Sequence, residues 1–287
     1  MVAKALDMYI MDLHIKDWDR NKAECQFQGK GSSHELAAVL LTECIQHSLH
    51  DLKLPLYVLY LDAKSAFDNV LKQILIRDLY HTGTSDQELV FINNRLENRK
   101  TIVDWEGEMM GPIADEKGVE QGGVSSGDLY KIFGKSQLQL AQDSSFGVQL
   151  SRDLTVSAIG QADDTVLLSH SLHQLSGLLQ LTMEYCQNYH VELVPEKTKL
   201  LVYYPDSLKH DVYLQNLIHP LSLNGTKIDL STSAEHVGIV RSCVGNMPNI
   251  LARISAHTKA IHSILPTGMA WSHRGNPAAS LRLEKLY

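Results

Sequence analysis

The feature that most constrains this chain is residues 56–61, Leu-Tyr-Val-Leu-Tyr-Leu, an unbroken apolar run that follows Pro55. A run of β-forming residues without polar alternation is the signature of a strand buried on both faces. It leads directly into a carboxylate, Asp62. Acids meet strands a second time further on. Leu154 to Ile159 and Thr165 to Ser169 are expected as two short strands joined through Gly160-Gln161-Ala162-Asp163-Asp164, a β-hairpin with acids at its tip.

Around these landmarks the pattern predicts amphipathic helices over 1–20 and 34–50 with a Gly-rich loop between them, then helices over 66–80 and 85–98. A strand and hairpin through Ile102-Val103-Asp104-Trp105 turn at Gly107, and Gly118 to Gly127 form a Gly/Ser loop before a helix over 128–142. A helix over 172–189, a strand over 199–203, paired short strands near 221–228 and a basic helical tail follow. There is no internal repeat and no linker that would separate independent domains. With 287 residues, 44% of them hydrophobic, the chain can bury a sizeable core, and disorder is expected only at its ends.

The formal charge of -7 disfavours a phosphate-rich partner, but its distribution is uneven. From Arg241 to Tyr287 six basic residues face one acid, so the tail carries +5 and the first 240 residues carry -12. That suits a nucleic-acid grip beside a metal-binding centre, and equally a solvated basic helix face. Cys25, Cys44, Cys186 and Cys243 are far apart and include no CxxC pair, which fits reduced thiols rather than a zinc site. Charges interrupt the N-terminus too early for a signal peptide, and no apolar run approaches the roughly 20 residues of a membrane span. The expectation is a soluble intracellular protein, nuclear or cytoplasmic and not secreted.

Two divalent ions that drive phosphoryl transfer need carboxylates holding them roughly 3.5 to 4 Å apart. Hard oxygen ligands suit Mg²⁺ or Mn²⁺. Asp62 at the end of a buried strand, facing Asp163 and Asp164 on a neighbouring hairpin, would supply three such ligands on rigid backbone. Each piece alone is ordinary: Asp pairs frequent turns, and a strand-terminal Asp commonly caps the next helix. His170 and His173, with no third ligand in sequence, read as a hairpin end and a helix cap.

The ordered set of segments says more. Leu61-Asp62-Ala63-Lys64-Ser65-Ala66-Phe67-Asp68 resembles motif A of the reverse transcriptases of non-LTR, LINE-type retrotransposons, and Ala162-Asp163-Asp164 resembles motif C. Gln26-Phe27 through Gly31-Ser32-Ser33 is similar to the preceding fingers motif, Gly118 to Ser126 to motif B, and Pro195-Glu196-Lys197-Thr198-Lys199 to motif D. Glu235-His236-Val237-Gly238-Ile239 is a weaker echo of the primer grip. The resemblance implies an α+β right hand: partial fingers over 1–55, a palm over 56–240 with a ferredoxin-like antiparallel sheet backed by helices and a fingers insertion at about 81–117, and the start of a thumb over 241–287. It also implies two Mg²⁺ (or Mn²⁺) ions, an RNA template, a DNA primer and dNTPs.

By the same resemblance Asp62 and Asp163 are the principal metal ligands, Ala63 offers its carbonyl, and Asp164 assists. Lys197 sits near the departing pyrophosphate. Phe67 is the steric gate against a 2′-hydroxyl, although an aromatic just inside a helix is also ordinary core. Gln121 and Gly122 line the nucleotide and template pocket. Lys30 is a triphosphate contact or a solvated loop lysine. Two departures stand out: Gln161 where the family usually has Tyr or Phe, and Ser126-Gly127 where Ser-Pro is common. The ends match less of the family pattern, so the chain is expected to be a portion of a longer reading frame. The competing expectations are a non-catalytic remnant that at most binds nucleic acid or a protein, and a two-metal nuclease or phosphatase. Lys64 contradicts the Asp-x-Asp form of the phosphatase.

Overall fold

The computed structural model describes residue 18 and residues 22–27, 33–120, 123–205 and 221–244. The helix expected over 1–20, apart from Trp18, and the tail beyond 244 lie outside the described residues. Helix α1 (His34–Gln46) opens at Ser33, whose hydroxyl accepts from the Leu36 amide, and runs into a π-helical turn, His47–Asp51. Strand β1 (Leu56–Leu61) is buried along its whole length. Helices α2 (Lys72–His81) and α3 (Asp86–Glu97) follow, the second opened by a Ser85–Glu88 capping box.

The hairpin β2 (Lys100–Trp105) and β3 (Glu108–Ala114) turns on Glu106-Gly107, both left-handed, and every residue of its strands is exposed. Next come α4 (Ser126–Asp143), the small pair β4 (Val148–Gln149) and β5 (Thr155–Val156), and then β6 (Ala158–Gln161) and β7 (Asp164–Ser169). Helix α5 (Leu172–Tyr189), β8 (Lys199–Tyr203), β9 (Ser222–Leu223), β10 (Thr226–Lys227), β11 (Asp229–Leu230), β12 (Ser233–His236) and β13 (Ile239–Ser242) complete the described chain. Strand β13 runs across residue 241, where the thumb was expected to begin.

The principal sheet has the order β11-β8-β1-β7-β6, with β1 antiparallel to both neighbours and β11 parallel at the edge. The path β1-α4-β6-β7-α5-β8 with spatial order β8-β1-β7-β6 is the ferredoxin-like arrangement, so the α+β reading holds. Alternation along β1 divides the core. Tyr57, Leu59 and Leu61 face Leu138 of α4 and Leu175, Leu178 and Leu179 of α5. Leu56, Val58 and Tyr60 face Ala37, Leu41 and Ile45 of α1. A third cluster joins α2 and α3 to Phe133, Tyr185 and Tyr189. The continuous apolar run is thus explained: β1 has helices over both faces.

The helix expected over 66–80 starts only at Lys72. Ser65 is left-handed at φ 45°, and the amides of Asp68 and Asn69 both turn back to its carbonyl at 3.0 Å. The carbonyls of Phe67 and Val70, which helix geometry would commit to residues 71 and 74, instead accept from Val119 and Gly118 at 2.9 and 2.8 Å. Phe67 therefore sits in a turn rather than inside a helix. Helix α4 begins at Ser126, two positions before the expected start, with Asp128 and the fully buried Lys131 paired at 2.8 Å in its first turns.

Candidate active site

Register brings the acids together. Leu61 pairs with Thr165 on β7, so Asp62, the next residue, runs alongside Asp164. Gln161 and Asp164 close the β6–β7 ladder, leaving Ala162-Asp163 as a two-residue connection with Ala162 left-handed at φ 55°. An alanine held there costs about 1–2 kcal/mol, the kind of strain that packed surroundings sustain at working sites.

Asp62, Asp164, Lys197, Glu235, Gly238 and Tyr60 line one cleft of about 320 Å³. Lys197 Nζ lies 3.3 Å from Asp62 Oδ2. The Asp164 carboxyl accepts from the Val237 amide at 3.3 Å. Partial withdrawal from water raises its pKa above the ordinary aspartate value, Asp163, Glu235 and Asp62 push the same way, and the Val237 hydrogen bond opposes them. Val237 and Gly238 form the left-handed turn between β12 and β13, a costly conformation for a β-branched residue. The segment that echoed the primer grip therefore abuts the second aspartate of the pair. Asp163 does not line this cleft. Its charge is felt at Tyr130 of α4, whose phenol is pushed up by burial and then by Asp163. Among the described residues no three His, Cys, Asp or Glu side chains close on one point.

Lys197 is positioned from Asp62 outward. Ala63 bridges Leu193 antiparallel, with Lys64 N–H donating to Glu192 O at 2.8 Å and Val194 N–H to Asp62 O at 2.9 Å. Neither bond uses the Ala63 carbonyl, which by antiparallel geometry points to the opposite side, toward β7. The Val194 carbonyl then accepts from the amides of Lys197 and Thr198 and from the Thr198 hydroxyl, a tight turn that lifts Lys197 over Asp62. Lys64 and Glu192 close the outside at 3.0 Å.

Phe67 is half-buried and stacks on Tyr130, ring centroids 4.7 Å apart and planes 20° off parallel. Gly118, at φ 91°, docks the motif-B-like loop on the Phe67 turn so closely that a Cβ there would stand 2.9 Å from the Asp68 carbonyl oxygen. The fingers-like segment docks on the acidic hairpin. Phe27 N–H donates to Gly160 O at 2.9 Å, Gly160 N–H to Cys25 O at 3.1 Å, and Gln26 Nε2 to Lys131 O at 2.7 Å. Gln161 leaves its Oε1 buried without a partner among the described residues. His170 meets Ser48 Oγ at 2.9 Å, while Ser171 caps α5. Lys30, Gln121 and Gly122 lie outside the described residues.

The site residue that sequence reasoning missed is Tyr130, while Glu235 and Val237 were named only within the primer-grip echo, without a role of their own. Nothing local flags Tyr130.

The family described as reverse transcriptase (RNA-dependent DNA polymerase) matches residues 8–271. The transposon TX1 uncharacterized 149 kDa protein of Xenopus laevis is 29% identical over 138 residues, which are 48% of this chain and 11% of that protein. The chain thus spans about a tenth of the length of the curated relative it matches. Among solved structures, apo telomerase from Candida tropicalis superposes with a TM-score of 0.53 at 13% identity, covering 84% of this chain and 39% of that one. This last likeness concerns the fold alone.

Proposed function

The chain belongs to the reverse transcriptase family, and from that premise we propose that it is the RNA-directed DNA polymerase domain of a non-LTR retrotransposon, extending a DNA primer with dNTPs on an RNA template inside the cell. The observation that carries this reading is the β1–β7 register, which sets Asp62 beside Asp164 at the mouth of a cleft roofed by Lys197.

The donor set fits Mg²⁺ or Mn²⁺. It consists of hard carboxylate oxygens at the ends of adjacent strands, where burial first and then the neighbouring Asp163, Glu235 and Asp62 charges raise Asp164. Asp62 and Asp163 would hold the ions, with the Ala63 carbonyl and Asp164 in support. When bound, two such ions stabilise the attacking and leaving oxygens of an in-line displacement. In that displacement the primer 3′-oxygen bonds to the α-phosphorus and pyrophosphate departs. The Lys197 ammonium, 3.3 Å from Asp62, would supply charge or a proton to the leaving group. Phe67 presents its ring to the incoming sugar; the family resemblance assigns Gln121 and Gly122 to the nucleotide and template pocket, and Lys30 to the triphosphate or to solvent, all three outside the described residues.

Purified protein is expected to incorporate dTTP on poly(rA)/oligo(dT) with Mg²⁺ or Mn²⁺. Asp163→Asn should lower turnover at least about a hundredfold, as the loss of several kcal/mol of charge stabilisation requires. Equal incorporation by wild type and Asp163→Asn sinks the assignment. The alternative, a remnant that binds without turnover, is favoured by Gln161 and its buried Oε1, unpartnered among the described residues. Template-primer affinity measured apart from extension separates the two: the remnant binds with steep salt dependence and never extends.

A further inference from the structure

We infer that Tyr130 is the positioning residue of sugar selection: its ring is the bed on which Phe67 is held at the height that refuses a 2′-hydroxyl. The inference rests on the reading of Phe67 as the sugar-facing residue and names what sets that residue's position. Phe67 lies in an irregular turn, so no helical rotamer fixes its ring. What fixes it is a near-parallel stack on Tyr130, at 4.7 Å and 20°. Phe67 is half-buried while Tyr130 is 6% exposed, so one ring faces outward and the other supports it from beneath.

The support is itself backed. Tyr130 packs on Phe133 at 6.1 Å, and Phe133 meets Tyr189 edge-on at 5.2 Å. Tyr189 stacks on Tyr185 at 4.4 Å and shares a 2.7 Å hydrogen bond with Ser136. Arg77 donates to the Tyr189 hydroxyl at 3.0 Å and lies 5.4 Å over its ring. Tyr185 in turn donates its hydroxyl to Phe133 O at 3.2 Å. This ladder runs from the turn after β1 through α4 and α5 to α2, and it leaves Tyr130 nowhere to sink. Removing the Tyr130 ring opens space directly under Phe67, which can then settle away from the sugar.

The test is the ratio of kcat/KM for dTTP to that for UTP on poly(rA)/oligo(dT), with melting temperature as the check on folding. Phe67→Val should collapse the ratio. Tyr130→Leu should lower it about tenfold, chiefly through a lower KM for UTP. Tyr130→Phe, which keeps the ring and loses only the hydroxyl, should leave it unchanged. In the Phe67→Val background Tyr130→Leu should lower it no further. An unchanged ratio in Tyr130→Leu beside a collapsed one in Phe67→Val overturns the inference while sparing the gate. A fall in Tyr130→Phe, or additive losses in the double variant, also overturns it. An unchanged ratio in Phe67→Val removes the gate and this inference together. Tyr130→Met, closer in volume, carries the same comparison where the leucine variant does not fold.

Discussion

His236, 1% exposed at the end of β12, has neither ring nitrogen hydrogen-bonded among the described residues and meets Tyr60 edge-on at 6.1 Å. Burial first, and then the nearby Arg241, lower its pKa to about 4. The unfolded chain takes up this proton near pH 6.5 and the folded protein only near 4. The resulting stability is therefore complete above about pH 6.5 and is lost as pH falls toward 4, by up to about 3 kcal/mol. Urea midpoints at pH 7 and pH 4.5 should show this loss, and His236→Leu should flatten it; an equal acid loss in the variant would refute the assignment. Lys197 is the opposite case. Its pair with Asp62 is solvent-exposed on both sides. Lys197→Met should thus change stability by less than about 1 kcal/mol while lowering turnover by about a hundredfold through the lost acid. A large shift in melting temperature with intact turnover would assign the lysine a structural role instead. At this scale the neighbouring Asp62 and Asp164 were legible only through the ordered set of motif-like segments around them, each acid being ordinary on its own. Tyr130 was not, because its partner Phe67 is remote in sequence and nothing in the local pattern joins them.

Among the elements, Gly118 is the joint between the motif-A-like turn and the motif-B-like loop. Gly118→Ala combines φ 91° with a contact of 2.9 Å to backbone oxygen. It should cost about 1–3 kcal/mol and raise the KM for dNTP, both readable from denaturation midpoints and steady-state rates; a neutral result would mean that the loop is not pinned there. Helix α5 was legible to its ends because an apolar period runs unbroken from the Ser171 cap. Strand β1 was legible because double burial leaves no polar position. The late start of α2 was hidden, since the bonds that stop the helix come from Gly118 and Val119 rather than from its own residues. Strands β4 and β11 were hidden because two residues are too few to show a period, and the single strand expected over 154–159 is divided into β5 and β6.

For the whole molecule, the basic C-terminal segment needs one revision. Arg241 donates to Thr42 Oγ1 and Ala38 O, each at 2.7 Å, so it ties β13 to α1. That leaves Arg253, Lys259, Arg274, Arg282 and Lys285 as the cations that could meet phosphate. Deleting residues 245–287 should flatten the slope of log affinity against log salt by at most about 4.5, and an unchanged slope would assign the nucleic-acid grip elsewhere. The ferredoxin-like order was legible through the family pattern and not through periodicity, because strand order depends on pairings between distant segments. Those pairings carry a consequence for synthesis. β1 leaves the ribosome early, yet its two hydrogen-bonding edges are filled by Asp164–Ser169 and Lys199–Tyr203, made much later. Until then Leu-Tyr-Val-Leu-Tyr-Leu is an uncharged strand with bare amides and carbonyls on both sides, a template for intermolecular β-pairing. A ribosome that stalls before residue 199 would release a chain prone to aggregate through the segment that carries Asp62.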